Sequence, residues 1–153
     1  MKNSFLKCAV LGVTGLSLVS GLASHFPPRG STLALAAEAA PQSIVWETDF
    51  DAALKKARAQ NKLILVDFWA PWCGECRKLD QKVLSHSAVV AESRNWINLK
   101  VDVSKREDLY ARYKLTGTPT LSFLRFDGQS FRSEKGVPAP RDLVRQMRAA
   151  RRD

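Results

Sequence analysis

Apolar and polar positions recur with two different periods along the chain, and they predict helices interleaved with strands. From 49 to 60, apolar side chains recur three and four positions apart, as on one face of a helix. Thr48 or Asp49 can cap the start of this helix. Residues 63–69 are nearly all apolar and β-prone, which predicts a strand buried on both faces. The pattern over 96–103 predicts a second buried strand.

Turn and capping signals divide the remainder of the chain. They predict helices over about 73–83, around 89–90, over 105–114 after a Ser104 cap, and over 140–152, with strands at 120–126 and 130–135 joined by Asp127-Gly128. The strand–helix–strand portion implies a parallel pair with a right-handed crossover. The hairpin adds antiparallel strands. The order therefore predicts an α/β fold with a mixed central sheet flanked by helices.

The first 39 residues have the pattern of an export signal rather than of a folded domain. Lys2 and Lys7 lie beside an uncharged apolar run, 8–19, which is too short to span a bilayer comfortably. Small residues follow at the spacing of a cleavage site. We therefore predict a signal peptide and leader over 1–39 and a domain over 40–153. An uncleaved signal that tethers the domain to the membrane is the alternative.

Composition is ordinary for a globular protein, with 45% hydrophobic and 25% charged residues, but the charge is basic. The net charge is +9, and about +7 remains after the leader. The closing helix carries arginines on one face: Arg141, Arg145, Arg148 and Arg152. This face is either solvated, with favourable charge at the helix end, or a docking patch for an acidic partner. Nucleic acid is not expected, because no aromatic side chains interleave with the arginines.

The three cysteines are Cys8 in the leader and the close pair Cys73 and Cys76. Two cysteines at this spacing at a helix start can close a small disulfide, and the exposed helix amides stabilise a thiolate on the first sulfur. Cys73 would then attack a substrate disulfide and Cys76 would resolve the mixed disulfide, with no cofactor. A zinc site needs four ligands, and only His25 and His86 could add to the pair, so no metal is expected.

Residues 66–78, Val-Asp-Phe-Trp-Ala-Pro-Trp-Cys-Gly-Glu-Cys-Arg-Lys, resemble the active-site segment of the thioredoxin family. Residues 117–120, Gly-Thr-Pro-Thr, resemble the cis-proline loop of the same family. The resemblance covers about 44–150. It implies the thioredoxin fold, thiol–disulfide oxidoreductase activity and a redox-active Cys73–Cys76 disulfide.

The same resemblance implies roles for residues away from the cysteines. Pro119, if cis, would place the Thr118 backbone beside the cysteine pair, where it can bind an extended substrate strand. An ordinary trans turn is the alternative. Asp67 resembles the buried acid that exchanges a proton with Cys76, and Lys100 resembles the lysine that accompanies it. The alternative for Asp67 is an edge position facing solvent.

Three residues around the sulfurs are expected to contact the substrate. Trp72 would form an apolar rim, although core packing is the default role of a tryptophan. Gly74 and Glu75 lie between the cysteines. Glu75 departs from thioredoxin, which has proline there. A carboxylate beside Cys73 disfavours the thiolate, which argues against a strong oxidant.

A finer resemblance is to the C-terminal periplasmic domain of DsbD, a transmembrane conductor of reductant. It rests on residues 46–48, 61–62, 77–85 and 101–104. It implies a monomeric periplasmic reductase of disulfides in exported proteins, recharged by a membrane-embedded electron donor. Two alternatives stay open: a disulfide oxidase or isomerase of the same fold, and a non-catalytic redox-gated binding or metal-chaperone module.

Overall fold

The computed structural model describes residues 42–152. Within them lie five α-helices and four strands: α1 (Phe50–Gln60), β1 (Ile64–Trp69), α2 (Gly74–Leu79), α3 (Ser87–Ser93), β2 (Ile97–Asp102), α4 (Glu107–Arg112), β3 (Thr120–Leu124), β4 (Ser130–Lys135) and α5 (Pro140–Ala150). The predicted signal peptide and leader over 1–39, including Cys8, lie outside the described residues.

The four strands form one sheet in the order β2-β1-β3-β4. β1 runs parallel to β2 and antiparallel to β3, and β3 and β4 form the hairpin. Gly128 at the hairpin turn has φ of 85°, a conformation that glycine adopts without steric cost. The structure thus confirms the predicted α/β class with a mixed sheet. Because β1 lies between two strands, it has no solvent-facing edge.

The two faces of the sheet each support a hydrophobic core. Successive side chains of a strand point to opposite faces, so Ile64, Val66 and Phe68 enter one core and Leu65 enters the other. The first core is completed largely by α1, and the second by α2, α3 and α5. This double coverage explains why β1 is nearly continuously apolar.

Two predicted helices differ in detail from the observed ones. The helix expected over 73–83 is α-helical only to Leu79 and then continues as a π-helical turn, Asp80–Leu84, in which Ser85 N–H donates to the Asp80 carbonyl at 3.1 Å. The predicted Ser104 cap is wrong. Ser104 donates its N–H and Oγ–H to the Asp102 carboxylate at 3.0 and 2.6 Å, so α4 begins only at Glu107.

Side chains cap the start of two other helices. Asp49 caps α1 as predicted, accepting from Ala52 N–H at 2.7 Å. His86 is exposed and caps α3, with Nδ1 accepting from Ala88 N–H at 3.3 Å. Among residues 42–152, no helix has both the length and the apolar character needed to cross a membrane.

Candidate active site

The cysteine pair lies where the central strand β1 gives way to helix α2. Cys73 and Cys76 form a disulfide with an S–S distance of 2.10 Å. Cys73 is the N-cap residue of α2, and its Sγ accepts from Cys76 N–H at 3.0 Å. Its own N–H donates to the Ala70 carbonyl at 3.0 Å, which fixes the turn before the helix. The Cys73 sulfur therefore faces the positive end of the helix.

The surroundings of the two sulfurs differ in exposure. Cys73 is 8% exposed and Cys76 is 3% exposed, so the first cysteine is the more accessible. Trp72, directly before it, is 72% exposed and does not pack in a core. Glu75 lies on the surface and pairs with Lys78 at 2.5 Å. Because both side chains are more than half exposed, the effect of Glu75 on the sulfurs is weakened by its partner and by solvent.

The proline loop supplies backbone groups near the end of the sheet. The Thr118–Pro119 peptide bond is cis, as the resemblance implies. The Pro119 carbonyl accepts from Gly136 N–H at 2.9 Å. Within the described part of the chain, the Thr118 backbone makes no backbone–backbone hydrogen bond. Its N–H and carbonyl are therefore available to another chain.

Trp72 and Thr118, predicted separately, line the same groove of about 520 Å³. Helix α4 contributes two further side chains that the sequence analysis did not assign to the site, Glu107 and Tyr110. Gly117, which also lines it, has φ of 151°, and a Cβ there would lie 2.9 Å from the Lys135 side chain. The end of the lysine side chain can move aside, so it is the positive φ that favours glycine at this point of the loop.

Asp67 is 1% exposed in the middle of β1, which rules out the alternative of a solvent-facing edge position. Its register partner on β2 is Lys100, whose Nζ lies 3.3 Å from Asp67 Oδ2 and 2.5 Å from Asp80 Oδ1. Asp80 lies four residues after Cys76, on the same helical face. The ion pairs therefore connect the strand acid to the helix that carries the second cysteine.

Burial raises the pKa of Asp67 from its ordinary 3.8 to about 6. The positive charge of Lys100 opposes that rise in the pKa, and the negative charge of Asp80 adds to it. Lys100 is held in place by more than the carboxylates, since Nζ lies 5.5 and 5.6 Å from the ring centroids of Trp46 and Trp69. Asp67 is thus a buried acid that changes charge near neutral pH.

The two neighbours of Asp67 are expected to move its pKa in opposite directions. Lys100→Met removes the positive charge, so the pKa of Asp67 should rise above about 6. Asp80→Asn removes the negative charge, so it should fall. The measurement is a ¹³C NMR titration of the Asp67 carboxyl in the oxidised protein, assigned with Asp67→Asn.

The matched control for this titration is Lys56→Met, which removes a lysine paired with Glu47 at the surface. This variant should leave the Asp67 titration unchanged. If Lys100→Met and Asp80→Asn also leave it unchanged, or shift it in the same direction, the charges of Lys100 and Asp80 do not set the protonation of Asp67.

The structure brings the predicted residues into two groups. Trp72, Gly74, Glu75, Thr118 and Pro119 lie in or beside the surface around the disulfide, whereas Asp67 and Lys100 lie behind it. Asp80 was missed, although an acid four residues after the second cysteine was a visible signal. Among the described residues, no three His, Cys, Asp or Glu side chains form a cluster that could hold a metal ion.

Comparison with known proteins agrees with this geometry. The thioredoxin family profile matches residues 42–149. Thioredoxin-1 of Drosophila melanogaster is 42% identical over 67 residues, which span 44% of this chain and 61% of that protein. The thiol:disulfide interchange protein DsbD of Pseudomonas fluorescens is 30% identical over 91 residues, 57% of this chain and 16% of that protein.

The fold is also shared with solved structures. The oxidised C-terminal domain of Neisseria meningitidis DsbD superposes with a TM-score of 0.61, covering 69% of this chain and 99% of that domain. At 21% sequence identity, this match shows the fold alone.

Proposed function

The chain belongs to the thioredoxin family, and on that premise we propose that it is an exported thiol–disulfide oxidoreductase that reduces disulfides in periplasmic proteins. The observation that carries the proposal is the Cys73–Cys76 disulfide at the start of α2, with the more exposed sulfur first. The pair lies in a domain with large cores on both faces of its sheet. The Cys73–Cys76 disulfide is therefore not needed to hold the fold together.

In the reduced protein, the Cys73 thiolate attacks one sulfur of a substrate disulfide. The substrate S–S bond breaks, one substrate sulfur leaves as a thiolate, and a mixed disulfide forms at Cys73. Cys76 then attacks the Cys73 sulfur and releases the second substrate thiolate. Two electrons pass to the substrate, and the Cys73–Cys76 disulfide is restored. The helix N-terminus favours Cys73 as the nucleophile because it stabilises negative charge there.

Cys76 must lose its proton before it can resolve the mixed disulfide. We assign proton acceptance to Asp67, because its pKa of about 6 leaves it mostly ionised at neutral pH. Lys100 holds this carboxylate by an ion pair, and its side chain is 20% exposed, so it links the buried acid to the more exposed Asp80. Asp67 is in this proposal a general base, and Lys100 is a positioning residue.

The substrate is proposed to bind as an extended strand along the groove beside the disulfide. The free backbone groups of Thr118, next to cis Pro119, can pair with it as a neighbouring strand would. Trp72 offers a large apolar surface on the same groove. Gly74 and Glu75 are exposed at the helix start and are expected to contact the chain on the substrate's other side.

Location and direction are supported by the sequence rather than by the geometry. The pattern over 1–39 supports export, and the similarity to DsbD supports a periplasmic reductase recharged by a membrane-embedded dithiol donor. The proposed substrates are exported proteins with disulfides, and the protein is proposed to act as a monomer without a cofactor.

The reduction potential of the Cys73–Cys76 pair tests the direction. A reductase should equilibrate with glutathione below about −200 mV, toward the thioredoxin value of about −270 mV. The matched functional assays are insulin reduction, expected to be fast, and oxidative refolding of reduced ribonuclease, expected to be slow. A potential near −120 mV, the value of a strong dithiol oxidase, would overturn the reductase assignment.

Glu75→Gln provides a sharp control for that measurement. Because Glu75 is exposed and paired with Lys78, removing its charge should change the potential by less than about 30 mV. A larger shift would show that this side chain, and not the buried groups, sets the potential.

A further inference from the structure

A second groove, of about 780 Å³, runs along α5 and has no lining residue in common with the groove beside Trp72. Its apolar lining comes from Ala88, Ala139, Pro140 and Val144. Its cationic lining comes from Arg141, Arg145, Arg148 and Arg152. In the described part of the chain, no acidic side chain lines it. The groove therefore combines apolar surface with an excess of positive charge.

The arginines of this groove differ in what they already bind. Among residues 42–152, Arg141 and Arg152 have no carboxylate partner. Arg145 pairs with Asp142 of the same helix at 3.1 Å. Arg148 donates through Nε to Glu92 at 3.1 Å. Its terminal Nη groups make no hydrogen bond within the described residues, so two whole guanidinium groups and part of a third remain available.

Glu92 holds one of the arginines of this groove in an ion pair. It is a 5% exposed carboxylate on α3 that pairs with Arg148 and, at 2.9 Å, with Arg151. The two arginines are thereby anchored on a buried acid rather than free in solvent. A partner that binds Arg148 loses less side-chain entropy than one that must order a free arginine.

We propose that this groove binds an acidic segment of a protein partner, with its carboxylates on Arg141, Arg148 and Arg152 and an apolar side chain against Ala139 and Pro140. The planar guanidinium group matches a carboxylate through two parallel hydrogen bonds, which an ammonium group does not provide. A concave lining with apolar surface accepts a side chain. The site is independent of the disulfide chemistry and goes beyond it.

An anionic membrane surface is a less suitable partner for this groove than an acidic protein segment. Helices that lie on bilayers insert large apolar side chains between their cationic ones. The exposed large apolar residues of the described chain, Val45, Trp72, Phe126 and Val137, do not line this groove. The groove is concave, and its one larger apolar side chain, Val144, is buried.

The test measures how a fluorescein-labelled decapeptide, made of Glu and Asp with two Leu, binds to the full-length chain. Binding is measured by fluorescence polarisation. Arg141→Ala/Arg152→Ala should raise the Kd about tenfold. Arg141→Lys/Arg152→Lys keeps the charge but loses the paired geometry, and should raise it about threefold. The control, Lys55→Ala/Lys105→Ala, removes the same charge elsewhere and should change the Kd less than about twofold.

Insulin reduction by the arginine variants should equal that of the unmodified protein, which shows that they are folded and that the groove is separate from the disulfide. Equal loss of peptide binding in the control and the alanine variant would mean non-specific charge attraction and would overturn the proposal. No binding of the peptide would also overturn it. Arginine-dependent binding of phosphatidylglycerol vesicles that exceeds peptide binding would assign the groove to a membrane instead.

Discussion

Cys76→Ser is expected to stop disulfide exchange halfway and to leave the substrate covalently attached to Cys73. Cys73 lies at the positive end of α2 and is the more exposed sulfur, so its attack does not depend on Cys76. Without a thiol at position 76, residues 42–152 contain no second cysteine that could resolve the mixed disulfide. Turnover in insulin reduction should fall by at least about a thousandfold.

The trapped adduct is best collected in the compartment where the protein acts. Non-reducing gels and mass spectrometry of the Cys76→Ser protein should then show substrate proteins joined at Cys73, and their identity would name the substrate class.

Two matched variants define the roles of the sulfurs. Cys73→Ser should lose turnover to the same extent but form no adduct, because the remaining Cys76 is 3% exposed. Cys8→Ser should keep both activity and adducts. Adducts that form through Cys76 in the Cys73→Ser protein would reverse the assigned order, and adducts that require Cys8 would remove the pair from the mechanism.

Asp67→Asn is expected to stabilise the oxidised protein at neutral pH. The pKa of Asp67 is about 6 in the folded chain against 3.8 ordinarily, so the folded state holds this proton more tightly than the unfolded state does. Below about pH 4, Asp67 makes its full contribution to the free energy of unfolding. That contribution is lost as the pH rises to about 6, because the carboxyl group then ionises in the folded state as well. A pKa difference of about two units between the folded and unfolded states corresponds to roughly 3 kcal/mol. At neutral pH, the buried ionised carboxylate lowers the free energy of unfolding by this amount.

The measurement is the free energy of unfolding by urea, for both proteins, at about pH 4 and about pH 7.5. From about pH 4 to about pH 7.5, the free energy of unfolding of the unmodified protein should fall relative to that of Asp67→Asn. The fall should be on the order of 3 kcal/mol. Asp67→Asn should also slow resolution of the mixed disulfide, because Cys76 loses its proton acceptor. A stability difference independent of pH would contradict ionisation of a buried Asp67.

The order of helices and strands could be predicted from local patterns alone. The unbroken apolar run at 63–69 requires burial on two faces, which is why β1 lies in the middle of the sheet. The Asp127-Gly128 turn and the Asp49 cap depend only on neighbouring residues. Ser104 failed as a predicted cap because a nearer acceptor, Asp102, bonds both its polar groups.

By itself, the sequence determined the cysteine pair, its position at a helix start and the proline loop, because each depends on residues a few positions apart. Tertiary structure alone decided that Lys100 bridges Asp67 and Asp80, and that Trp72 and Thr118 line one groove. Distances between residues far apart in the chain depend on strand register and helix packing. The pKa of Asp67 was beyond sequence analysis for the same reason, since burial within the assembled layers raises it.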